Sequence, residues 1–160
     1  MDPLTNSPTD FLISPATASE PDVAALIEKH VALMRSQSPP EACHVLPAES
    51  LSEQDIQMFV ARHSGQVVSM GAMKRFGASC EIKSMHTLAE TRGRGYARAL
   101  LRFLLQEARM QGIREAYLET GSGPEHQAAR ALYASEGFRE CPAFGAYKSH
   151  PLSVYMMRVI

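Results

Sequence analysis

Six consecutive residues, Arg92, Gly93, Arg94, Gly95, Tyr96 and Ala97, lie between an apolar, strand-like run ending near Thr87 and a strongly periodic helical segment. Two glycines let the backbone bend closely round a ligand, and a helix that begins there presents unpaired N–H groups and the positive end of its macrodipole. Such a junction suits an anion. The helix is written in Ala97, Leu100, Leu101, Leu104, Leu105 and Ala108, one apolar stripe, while Arg94, Arg98, Arg102 and Arg109 fall largely off it. Gly112 ends it. Residues 81–87 before the turn and 115–120 after the helix read as strands, so the turn sits inside a strand, helix, strand unit, which favours parallel strands on either side.

The turn lacks the third glycine and downstream acid of a dinucleotide fingerprint, and the Gly-Lys-Ser/Thr ending of a nucleoside triphosphate loop. Arg92, two residues, Gly95, one residue, Ala97 resembles instead the (Gln/Arg)-x-x-Gly-x-(Gly/Ala) signature of the GCN5-related N-acetyltransferases (GNAT). Residues 129–138, Ala-Arg-Ala-Leu-Tyr-Ala-Ser-Glu-Gly-Phe, look like the closing A-x-x-L-Y-x-x-x-G-F element of the same superfamily, at the right distance downstream. Each motif supplies the context that the other requires. The resemblance is to the small stand-alone bacterial members and spans nearly the whole chain.

The resemblance implies an α/β GNAT fold: a central mixed, mostly antiparallel sheet of six to seven strands, splayed between strands 4 and 5 and flanked by about four helices. The pantetheine arm of acetyl-coenzyme A would enter that splay, between residues 85–88 and 117–120. Residue patterns supply matching elements. A first strand is expected at residues 10–14, then a helix capped by Ser19 or Asp22 with Val23, Leu26, Ile27, Val31 and Leu33 or Met34 on its buried side. A brief helix is expected at 49–55 and strands at 56–62 and 66–76, joined by a Ser64-Gly65 hairpin turn, with Gly71 marking a bulge. A helix at 125–136, a strand near Phe138 and a last strand at 153–159 complete the order.

With 160 residues and 45% hydrophobic content the chain is sized for one domain, residues 9–160, behind a polar start, residues 1–8, expected to be mobile. A net charge of −1 provides no global field for nucleic acid or an anionic membrane. Neither a signal peptide nor a membrane span is legible. Cys43, Cys80 and Cys141 lack metal-ligand spacing, which points to free thiols, no metal and a cytoplasmic setting.

Acyl transfer from a thioester to an amine needs an unprotonated amine, aligned reactants, a stabilised oxyanion and a proton for the leaving thiolate. By the resemblance, backbone amides of Gly93, Arg94, Gly95, Tyr96 and Ala97, after Arg92, take the coenzyme's pyrophosphate. Backbone groups of Met85, His86 and Thr87 meet the pantetheine and thioester. Glu81, eleven residues before Arg92, matches the spacing of the catalytic glutamate in the histone acetyltransferase branch. Pairing with Lys83, two residues on and therefore on the same strand face, would make Glu81 structural instead. Tyr133 holds the position from which relatives protonate the thiolate. His126 stands where many relatives have a pantetheine-binding asparagine.

The loop around Ser38-Pro39-Pro40-Glu41-Ala42-Cys43-His44 falls where the superfamily places its acceptor-binding segment, and residues 144–147, Phe-Gly-Ala-Tyr, resemble a loop of a related branch. Glu41, His44 and Tyr147 are the candidate acceptor-binding residues, against a bland reading as solvated loop residues. The expected reaction is direct attack of a small-molecule or peptide primary amine on acetyl-coenzyme A in a ternary complex. An inactive coenzyme-binding sensor is the alternative reading. Terminal strands in such folds often pair between subunits, which leaves room for a homodimer.

Overall fold

The computed structural model describes residues 11–53 and 55–160, with Ser52 described in its backbone alone. The expected mobile start and the first residue of the expected first strand, Asp10, lie outside the described residues. Strand β1, Phe11–Pro15, leads into helix α1, Pro21–Gln37. Pro21 occupies the first helical turn, so Glu20 takes the capping position in place of Ser19 or Asp22. Val23, Leu26, Ile27 and His30 form the buried stripe, the histidine standing where Val31 was expected.

Strands β2, Ile56–His63, and β3, Gln66–Phe76, form a hairpin through Ser64 and Gly65, at φ +50° and +82°. Two left-handed residues match the right-handed strand twist, as in a type I′ turn. The expected brief helix at 49–55 is a single 3-10 turn, Ser50–Ser52. There are accordingly three α-helices among the described residues, where about four were expected.

Strand β4, Ser79–Thr87, pairs antiparallel with β3 but slips at Gly71: Met70 faces His86 and Ala72 faces Lys83, so Gly71 opposes both Ser84 and Met85. The extra residue is in β4, and Ser84 adopts φ +57° to accommodate it. Gly71 contributes close approach. A Cβ there would lie 2.5 Å from Met85 Sδ and 2.9 Å from Leu104 Cδ1.

Helix α2, Tyr96–Met110, buries Tyr96, Leu100, Leu101, Leu104, Leu105 and Ala108. It stops at Gly112, φ +78°, where Ile113 N donates to Ala108 O and Gly112 N to Arg109 O, a Schellman ending. Strand β5, Glu115–Gly121, then pairs parallel with β4. A 3-10 turn, Pro124–His126, precedes α3, Gln127–Ser135, splitting the one helix expected at 125–136. Strands β6, Arg139–Cys141, and β7, Ser153–Val159, complete a seven-stranded sheet ordered β1-β2-β3-β4-β5-β7-β6, in which β4–β5 is the parallel pair.

One sheet face, including Met73, Cys80, Ile82, Ala116, Leu118 and Met156, packs in the same core as the leucines of α2. The other, including Met58, Val60, Met70 and Ala72, packs against α1. Glu136, at the end of α3, accepts from Arg98 and, at 3.0 Å, from Arg102, both on α2. Arg130 on α3 donates to the carbonyls of Gly121 and Gly123, at 2.6 and 2.8 Å, and so ties α3 to the end of β5.

Candidate active site

Pairing between β4 and β5 ends at Ile82 opposite Leu118. Beyond that point the Ser84–Met85 bulge keeps β4 with β3, while β5 stays with β7 as far as Gly121. The sheet therefore opens between residues 83–87 and 119–121. This corrects the expected limits, because Tyr117 and Leu118 are still paired and the opening begins earlier on β4, at Lys83.

A cavity of about 140 Å³ passes through the opening. On the α1 side it is lined by His30, Met34, His44, Glu81, Lys83 and Tyr147; on the α3 side by His126, Ala129 and Tyr133. The two halves of the expected chemistry thus share one space, and Met85 lines it too.

Gly93 and Gly95, at φ +82° and +85°, shape the turn before α2, and no side chain caps that helix. Its first-turn amides therefore have no side-chain cap, an arrangement that suits an anion. Arg92 and Arg94 are exposed, Arg92 Nε donating to Thr87 O at 3.3 Å. Tyr96 is different. Its ring is buried and stacks on Phe11 with centroids 5.3 Å apart, so its backbone amide, not its side chain, is what it can offer an anion.

Glu81 is buried and its carboxylate accepts from Lys83 Nζ at 2.9 Å and from Tyr147 O–H at 2.5 Å. Lys83 also donates to the Tyr147 oxygen at 2.8 Å, closing a triangle of three polar groups. The pairing of Glu81 with Lys83 weighed from the strand period is present. Burial, and then the Glu81 charge, push the Tyr147 phenol up. His44 sets its ring edge-on to Tyr147, centroids 4.9 Å apart, and burial lowers its pKa. Glu41 is exposed and outside the cavity lining.

Tyr133 is buried at the cavity, its phenol pushed up by burial first and by the Glu119 carboxylate second. Glu119, which the sequence reading passed over, is the first β5 residue beyond the pairing with β4 and lines the same cavity. Burial pushes its carboxyl up, Ser153 and then the Lys83 charge oppose the shift, and Glu81 adds to it. A signal was available: Glu119 is two residues past Tyr117 on the same strand face, which is the face that carries Glu81. His126 packs so closely on Gly121 that a Cβ at that position would lie 2.1 Å from its ring.

His86 turns its ring toward α1, where its Nδ1 lies 3.0 Å from Nδ1 of buried His30. Burial, then His86, lower the His30 pKa from 6.5 to about 4. Above pH 6.5 both folded and unfolded states are neutral at this residue; between pH 6.5 and about 4 the unfolded chain binds a proton that the fold refuses. Stability should therefore fall on acidification through that window by an amount on the order of 3 kcal/mol. Urea unfolding at pH 7 and pH 5 checks this: His30→Gln should shrink the difference between the two midpoints.

Among the described residues no group of three or more His, Cys, Asp or Glu side chains is gathered as a metal site requires, and no helix is long and apolar enough to cross a membrane.

A seven-stranded sheet that parts within its parallel pair, with a glycine turn leading from the parting strand into a helix, is the arrangement that the resemblance to the N-acetyltransferases implies. Residues 54–140 match the acetyltransferase (GNAT) domain family. The chain belongs to that family and is an acyl-CoA-dependent N-acetyltransferase. It is 36% identical to YsnE of Bacillus subtilis, named an uncharacterized N-acetyltransferase, over 137 residues, 85% of this chain and 91% of that one. It is 38% identical to an IAA acetyltransferase of Azospirillum brasilense over 137 residues, 84% and 88% of the two chains. Among solved structures, a Klebsiella pneumoniae protein described as an acyl-CoA N-acyltransferase superposes with a TM-score of 0.76 at 28% identity, covering 93% of this chain and 97% of its own. The PaiA N-acetyltransferase of Thermoplasma acidophilum, solved with coenzyme A, shares the fold with a TM-score of 0.70 at 15% identity, over 94% and 99% of the chains.

Proposed function

We propose that this enzyme transfers the acetyl group of acetyl-coenzyme A to a primary amine by direct attack, with both substrates bound together. The observation that carries this reading is the single cavity through the sheet, which joins a Tyr133 side to a Glu81–Glu119 side. In this reading the first-turn amides of α2, from Gly93 to Ala97, hold the pyrophosphate, with Arg92 and Arg94 beside them. Backbone groups of Met85, His86 and Thr87 and the ring of His126 guide the pantetheine arm.

The amine enters from the α1 side. Glu119, desolvated and with a raised pKa, accepts the proton of the attacking nitrogen, the task assigned from sequence to Glu81. Glu81 holds Lys83 and Tyr147 and so keeps that wall in shape. Tyr133 donates its phenolic proton to the departing thiolate; its raised pKa keeps that proton in place until the thiolate appears. His44 and Tyr147 border the acceptor. Unpaired Cys43, Cys80 and Cys141 suit a reducing compartment, and we place the protein in the cytoplasm.

The test combines calorimetry with acetyl-coenzyme A and a thiol-release assay across a panel of amines. Tyr133→Phe should lower kcat by about 10²-fold while leaving the coenzyme Kd within about twofold. Tight coenzyme binding without turnover on any amine would instead establish a sensor.

A further inference from the structure

The α1 side of the cavity carries its charges in an uneven arrangement. Among the described residues that line it, Lys83 is the single permanent cation, and its ammonium is committed to Glu81 at 2.9 Å and Tyr147 at 2.8 Å. The side chains of that ion pair are 11% and 10% exposed, so little solvent reaches it. Glu119 has no lysine or arginine of its own in the lining. The two histidines on this wall, His30 and His44, have lowered pKa values and are neutral near pH 7, so neither supplies a compensating charge. A substrate carboxylate placed here would meet Glu119 and find the Lys83 ammonium already engaged by Glu81. A substrate ammonium would meet a carboxylate waiting for it.

Size and wall chemistry restrict the rest of the molecule. About 140 Å³ is well under the roughly 300–1,000 Å³ of sites that take drug-sized ligands, and part of it belongs to the thioester on the Tyr133 side. Met34, Val45 and Leu152 add apolar surface to a wall that Ser38, Ser84 and Thr120 keep partly polar, and none of these residues carries a charge. Resting on the acetyltransferase reading above, we propose that the acceptor is a small primary amine with no carboxylate, its ammonium paired with Glu119 before it loses a proton.

Matched acceptors separate charge from shape. Thiol release with saturating acetyl-coenzyme A at pH 8 should be measured for 2-phenylethylamine against phenylalanine, for 3-methylbutylamine against leucine, and for a peptide carrying a free N-terminus and a lysine. In at least one pair the amine should exceed its amino acid by about 100-fold or more in kcat/KM, since like charges brought together in a confined site strongly oppose binding. In Glu119→Gln, whose absolute rates will be lower, that ratio should contract at least about tenfold because the repelling charge is gone. Equal or better use of either amino acid, faster use of the peptide, or an unchanged ratio in the variant overturns the assignment. If the protein binds acetyl-coenzyme A yet no acceptor releases thiol, the transferase reading itself falls and this inference with it.

Discussion

Glu119→Gln is expected to reduce kcat/KM for the amine by about 10²- to 10⁴-fold near neutral pH, the range over which a positioned proton acceptor contributes. The deficit should narrow as pH approaches the amine's own pKa, about 10.4 for an alkylammonium, because solvent then removes the proton. Coenzyme affinity should be unchanged, as the residue stands on the acceptor side of the sheet. Glu81→Gln predicts a different signature. It leaves buried Lys83 without its counter-charge, so its main effect is a loss of stability of about 3–5 kcal/mol. Paired pH–rate profiles and urea midpoints for the two variants decide the matter: a pH-dependent deficit in Glu81→Gln, with Glu119→Gln close to normal, would return the base to Glu81.

Gly71→Val should be the most damaging change outside the cavity. Its Cβ would stand 2.5 Å from Met85 Sδ and 2.9 Å from Leu104 Cδ1, and Leu104 is fully buried in the main core. Met85 can swing into the cavity it lines, but Leu104 is held in the α2 packing, so a loss of about 1–3 kcal/mol is expected, with Gly71→Ala milder. Displacement of Met85, a lining residue, should also weaken coenzyme binding several-fold. The urea midpoint and the calorimetric Kd report the two effects separately. A valine variant as stable as the parent would mean that the strand can shift sideways at this point.

The elements that sequence made legible are those whose signal is local. The α2 stripe, the Ser64-Gly65 hairpin and the last strand, Ser153–Val159, stand where periodicity and turn chemistry put them. The limits of the opening were misplaced because they depend on a bulge centred on Ser84, a residue type that gives no warning of a positive φ. Tyr96 sits inside the glycine motif, yet its ring belongs to the core, since the first turn of α2 faces β1. The turn signature fixes backbone shape without saying which side chains face inward. Glu119 was legible only in part: strand period sets it on the Tyr117 face, but its proximity to Tyr133 arises only when β5 runs parallel beside β4 and then parts from it. Glu41 attracted notice through its charge and its neighbours, but the 3-10 turn Pro40–Ala42 leaves it on the surface.

In the reaction proposed, a cavity lined from both faces of the sheet would let each reactant approach from its own side. The acylated carrier and the nucleophile would never queue for one entrance, and the spent carrier could leave without displacing the acylated product. Mutations that crowd one mouth should therefore raise the apparent Michaelis constant of the reactant using it while sparing the other. Dead-end inhibitors shaped like each reactant should likewise compete only with their own kind.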